Sequence, residues 1–161
     1  MKELIEKYVV DKFGNIEIPE SEEEKQKLAR ALLGVSLISN LDYWLDNAFD
    51  LVSNPEREKP FTRENAASKK DKAFRAAFTN LDDEVKEKIK QLIADTTTGL
   101  LFSHLVSFDQ FDFGELQIKL TPKTLHGVTE ELTITKKWED LHDELPEWME
   151  NFSKHQEQLK N

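Results

Sequence analysis

The chain contains no cysteine, which excludes disulfides, thiolate metal sites and thiol catalysis. Its glycines, at 14, 34, 99, 114 and 127, stand too far apart for a phosphate loop, a dinucleotide fingerprint or a Gly-x-Ser-x-Gly elbow. Histidine is limited to His104, His126, His142 and His155, and no two of these have the spacing of zinc ligands. Long apolar runs are missing too. Ala31-Leu32-Leu33-Gly34-Val35 is one of the longer ones and falls far short of the roughly 20 residues that cross a bilayer. Met1 leads straight into Lys2-Glu3-Leu4-Ile5-Glu6-Lys7, without the apolar stretch of a signal peptide. The expected location is the cytoplasm, with no membrane partner.

What the chain does have is negative charge, −10 over 161 residues, and an uneven distribution of it. Residues 1–24 carry eight acids against three lysines, and residues 138–161 carry seven against two. Between them, Arg57 to Arg75 holds seven basic residues and three acidic ones. Acidic ends repel phosphate, so general nucleic-acid binding is not expected; the charge fits ordinary solvated helix faces, with a specific basic partner as the alternative. The length suits one domain, 1–161, able to bury a core without staples.

Apolar periodicity sets the expected architecture. Leu4, Ile5, Tyr8 and Val9 predict a short opening helix, and Asn15–Ile18 a short edge strand. Ser21 followed by Glu24 is a capping-box pattern, after which a helix runs to about Ser53. That helix is apolar on two sides, Leu28-Leu32-Val35-Ile38-Leu45-Phe49-Val52 and Leu33-Leu37-Leu41-Trp44-Ala48-Leu51, so it is expected to be central. A shorter helix presents Ala66, Ala73, Phe74, Ala77 and Phe78. Another runs from about Leu81 to Asp109, with a kink or break at Thr96-Thr97-Thr98-Gly99.

Near Phe113 the period changes from about 3.6 to two. Leu116, Ile118 and Leu120 alternate with polar residues, as do Val128, Leu132 and Ile134. Residues 115–120 should therefore pair antiparallel with 129–135, and Glu130 and Glu131 should point to opposite faces. A closing helix starts near Asp143, with Pro146 in its first turn and Trp138–Leu141 as the lead-in. The fold class is α+β, mostly helical: a long central helix in a bundle-like core, then a C-terminal antiparallel hairpin and a closing helix. Trp44, Phe49, Leu92 and Phe108 are expected in the core, with Trp148 packed under the hairpin.

Chemistry is sparser. His104 lies on the stripe of Leu100 and Phe108, with Asp109 and Asp112 close in sequence, an arrangement open to a core role or a general base. His142 with Asp140, Asp143 and Glu144 offers a carboxylate-rich cation site, although the two-histidine helical zinc motif is absent. No catalytic residue and no cofactor is assigned.

The run Asp95-Thr96-Thr97-Thr98-Gly99-Leu100-Leu101-Phe102-Ser103-His104-Leu105-Val106-Ser107-Phe108-Asp109-Gln110-Phe111 precedes the hairpin, and Trp138-Glu139-Asp140-Leu141-His142-Asp143-Glu144-Leu145-Pro146-Glu147-Trp148 follows it. Over roughly residues 81–155 this pattern resembles small, acidic bacterial proteins, some grouped with the immunity proteins of polymorphic toxin systems. The resemblance implies a single-domain cytoplasmic protein that binds one partner and catalyses nothing. The expected function is inhibition of a basic toxin domain by masking its basic site. The candidate binding residues are Glu139, Asp140, His142, Asp143, Glu144, Glu147 and Trp148. Two other readings stay open: a metal-dependent enzyme using a His/Asp/Glu cluster, and a structural homo-oligomer.

Overall fold

A computed structural model describes residues 1–12, 14–57, 65–124, 127, 130–135 and 140–159. The fold is α+β and mostly helical, with an antiparallel strand pair near the C-terminus followed by short helices. The helices are α1 (Lys2–Tyr8), α2 (Glu22–Ser53), α3 (Ala66–Ala76) and α4 (Asp83–Asp109). After them come β1 (Lys119–Leu120), β2 (Leu132–Thr133), a 3₁₀ turn (His142–Glu144), α5 (Leu145–Phe152) and α6 (Gln156–Leu159).

Helix α2 is the element around which the others gather. Its start is capped by the Ser21 hydroxyl, which accepts the Glu24 N–H at 3.2 Å. Glu24 in turn sits 3.1 Å from Lys7, tying α1 to α2. Leu28, Ala29, Ala31, Ile38 and Leu45 of α2 have no solvent exposure, and α4 and α5 both pack on this helix. Its second apolar stripe is covered less completely. Leu41 is buried, Leu33, Leu37, Ala48 and Leu51 are half-buried, and Trp44 is 65% exposed. The expectation of core positions for Trp44, Leu92 and Phe108 is therefore corrected, because Leu92 is 65% exposed and Phe108 is also exposed. Helical spacing shows which residues share a face but not whether another element covers it.

Helix α4 runs through Thr96–Gly99 without the expected interruption. Thr97 donates its hydroxyl to the Ile93 carbonyl at 2.6 Å, and Ser103 does the same to Gly99 at 2.8 Å. These bonds satisfy the two hydroxyls within the helix, and buried Ala94 and Leu105 anchor it to the core on either side of the threonines, so tertiary packing outweighs their weak helix propensity. Helix α3 also departs from expectation. Ala66, Ala73, Phe74 and Ala77 are exposed and Phe78 is half-buried, while the buried positions are Ser68 and Arg75. Ser68 closes a capping box with Asn65, and Arg75 pairs with Asp71 at 2.9 Å. Alanines contribute too little apolar area to turn a short helix inward against such polar anchors.

The hairpin lies where the change of period places it, but its ladder is short. Lys119 pairs with Thr133 and Leu120 with Leu132, antiparallel. One further bond, Ile134 N–H to the Ile118 carbonyl at 2.8 Å, extends it. Residues 115–118, 130–131 and 134–135 lie outside the two strands, and Val128 and Thr129 lie outside the described residues. Glu130 meets Lys25 of α2 at 2.5 Å and Glu131 meets Lys119 of β1 at 3.1 Å, so the two adjacent acids pair with different elements although neither lies within a strand. The expected strand at Asn15–Ile18 reduces to single bridges from buried Ile16 to Val9 and Thr124.

Candidate functional site

The residues singled out at 139–148 fall where the end of α4, the start of α2 and the 3₁₀–α5 corner converge. Leu141 and Leu145 are buried and fix this corner on the core. Pro146 sits in the first turn of α5, where its missing N–H costs nothing. The exposed side of the corner carries Asp140, Asp143 and Glu147. Glu139 lies outside the described residues.

Asp109, the last residue of α4, reaches across to this corner. Its Oδ2 accepts the backbone N–H of His142 at 2.9 Å and the ring Nδ1 at 2.8 Å. A carboxylate accepts only, so Nδ1 carries the proton and Nε2 is the ring's free position. The Asp109 hydrogen bond raises the His142 pKa above its ordinary 6.5, against the opposing effect of burial, and the charges of Asp143 and Asp140 add to it. Phe102 meets the ring edge-on at 5.3 Å.

Beyond Nε2 stands Asp143, 3.6 Å away, and one ligand atom each of Asp140, His142 and Asp143 lies within 4.8 Å of the others. That donor set, one imidazole and two exposed carboxylates, suits a borderline or hard divalent cation. Asp109 on the opposite ring nitrogen is the kind of carboxylate partner that metal-ligating histidines commonly have.

Glu144 takes a different course from its acidic neighbours. One of its oxygens is bonded to Nη1 of Arg30, a buried residue of α2 whose Nε also donates to the Ile134 carbonyl at 2.9 Å. Arg30 thus ties α2 to the hairpin and to the 3₁₀ turn at once. The other oxygen, Oε2, is buried and accepts no hydrogen bond. An unmet buried acceptor typically costs about 1–3 kcal/mol. Glu144 and Glu147 line a groove of about 680 Å³ with Glu22, Glu23, Gln26, Lys27 and Arg30 of α2 and with Met1 and Leu4.

Trp148 does not belong to the exposed face. It is fully buried, with its indole against the backbone of α2 at Gly34, so its placement among partner-contacting residues is corrected. Amphipathic spacing in a short helix could not tell an aromatic that faces the core from one that faces a partner. His104 is corrected as well: it is exposed, and its Nδ1 is 2.7 Å from the carbonyl of Leu100 on its own helix. Asp109, placed beside it in sequence, serves His142 instead. His126 lies outside the described residues.

Sequence reasoning passed over Arg30, Asp42 and Asp46. Buried Asp42 accepts the Ser153 hydroxyl at 2.6 Å and the Lys154 N–H at 2.8 Å. One turn on, Asp46 accepts from His155 at 2.8 Å and Lys154 at 3.2 Å. Burial alone would raise Asp46, but the bonds from His155 and Lys154 outweigh it and hold its pKa below the usual range. The available signal was the i, i+4 spacing of two aspartates beside an otherwise apolar helix face. Compared with protein-family models, curated proteins and solved structures, the chain matches none.

Proposed function

We propose that this is a non-catalytic, cytoplasmic protein-binding protein that masks the basic site of a protein partner, in the manner of an immunity or antitoxin-like inhibitor. The observation that supports this reading is the unequal fate of the acids at 140–147. Glu144 is tied inward to Arg30, while Asp140, Asp143 and Glu147 stay exposed on one corner. Buried Leu141, Leu145 and Trp148 hold that corner rigidly, so its carboxylates are presented without a large ordering cost. Complementary charge of this kind raises association rates and selects the partner. Among the described residues no helix is long and apolar enough to cross a membrane.

The test is reversal of Asp140, Asp143 and Glu147 to Lys together, with binding measured against a partner identified by cross-linking and then purified. Slower association and a weaker salt dependence are the expected results. A complex whose rates ignore the triple reversal overturns the masking role.

A second reading, a metal-dependent enzyme, draws on the Asp140–His142–Asp143 cluster. It expects a stoichiometric transition metal in the purified protein that is lost on His142→Gln. Finding one would displace the binding-protein reading.

A further inference from the structure

We propose that the outward face of α4 is a self-association surface, on which a second copy of this chain docks antiparallel about a two-fold axis between Ser103 and His104. The proposal is independent of the masking role and uses none of its carboxylates. Large apolar side chains left in solvent concentrate on this helix and the turn after it. Leu92, Leu100, Phe108, Phe111 and Phe113 are all exposed, Phe113 to 91%. From Thr96 to Phe108 the sequence holds no Asp, Glu, Lys or Arg, although 34% of the chain is charged. A helix face meant for water in so charged a chain would carry acids and bases.

Charge and size both select a second copy as the occupant. Two chains of formal charge −10 repel each other, so they meet most readily where neither brings a carboxylate, and this face satisfies that condition. A basic partner would find no charge on it to pair with. The order of sizes along the helix is also self-complementary. An antiparallel pairing about the stated axis sets Leu100 against Ser107, Phe108 against Gly99 and Phe111 against Thr96 of the other copy. Each is a large side chain on a small one, and all six residues are exposed. The two-fold repeats every one of these contacts, as an isologous interface requires. A Cβ on Gly99 would meet nothing of its own chain within 4 Å, so the space over it is open to the incoming phenylalanine.

The area suffices for a dimer. At about 200 Å² for a whole phenylalanine, Phe108, Phe111 and Phe113 alone leave on the order of 350 Å² in solvent. Leu92, Leu100 and the small residues between them carry the face toward the roughly 800 Å² that each partner of a standard interface buries. Leu92 stands about 17 Å from the axis along the helix, where the turn bearing Phe111 and Phe113 of the other copy arrives.

Sedimentation equilibrium of the purified full chain is the test. A species of twice 18.7 kDa is expected, and it should tighten as salt is added, because salt screens the repulsion between two acidic chains. Leu100→Glu, at an exposed position where circular dichroism should show the fold intact, should weaken the dimer by roughly thirtyfold or more, the scale of a central interface residue. His104→Glu and Ser103→Lys should each weaken it alone. Mixing those two variants should restore a dimer, since the axis sets position 103 of one copy against 104 of the other. Trp44→Glu, at an exposed aromatic of α2, is the control and should leave association unchanged. A chain that stays at 18.7 kDa up to its solubility limit overturns the proposal and leaves the face to another protein. A dimer that loosens with salt, ignores Leu100→Glu, responds to Trp44→Glu or fails to recover on mixing overturns it as well.

Discussion

Gly34 of α2 and Trp148 of α5 are in contact so close that a Cβ on the glycine would lie 2.6 Å from the indole carbons Cγ and Cδ1. A tryptophan with no exposed surface is thereby seated directly on a helix backbone, and α5 approaches α2 more closely than any side chain at position 34 would permit. Glycine inside a 32-residue helix costs about 1 kcal/mol relative to alanine, a cost the buried indole offsets.

Gly34→Ala should therefore destabilise the protein despite its better helix propensity. Overpacking typically costs about 1–3 kcal/mol, against the roughly 1 kcal/mol gained in the helix. Gly99 of α4 is the control: a Cβ there meets nothing within 4 Å, and Gly99→Ala should stabilise by about 0.5–1 kcal/mol. Urea titrations of the two variants should move in opposite directions.

Trp148→Ala should cost about 3–5 kcal/mol, the usual loss for a fully buried large aromatic. Trp44→Ala, at a residue 65% exposed, should stay within about 0.5 kcal/mol. A comparable loss for both in denaturant titrations would contradict the packing described above.

The Asp109–His142 contact makes stability depend on pH in one direction. The folded imidazole titrates above its unfolded value of 6.5, so its contribution is fully present below that pH and is lost as pH rises through the higher folded value. The melting temperature should decline from about pH 6.5 upward, and His142→Gln or Asp109→Asn should flatten that slope. NMR titration of the His142 ring should show a pKa above its ordinary value of 6.5.

Arg30→Ala should destabilise by about 3–5 kcal/mol, because it leaves a largely buried Glu144 carboxylate and the Ile134 carbonyl without their donor. Arg30→Ala combined with Glu144→Gln should recover part of the loss. A double-mutant cycle with no coupling would show that the pair contributes nothing as a pair.

Much of the scaffold was legible from local pattern. Ser21 marks the start of α2 and Asn54-Pro55 its end, and Leu116-Gln117-Ile118-Lys119-Leu120 announces the hairpin, because caps and alternation act over a few residues. The candidate site was legible only as a list of acids. Asp140, Asp143, Glu144 and Glu147 look alike in sequence, yet one of the four is drawn inward by an arginine 114 residues away.

Local pattern and composition suffice for the helical periods, the start of α2 at Ser21, the antiparallel sense of the hairpin and the acidic balance at both ends. Each follows from short-range geometry or from composition. Tertiary structure alone decided that Trp148 is buried while Trp44 is not, and that Asp109 serves His142 and not His104. It alone turned Glu144 inward while Asp143 stayed in solvent. The physical reason is that burial and pairing depend on which distant surface covers a face, and a helix's own spacing carries no record of its neighbour.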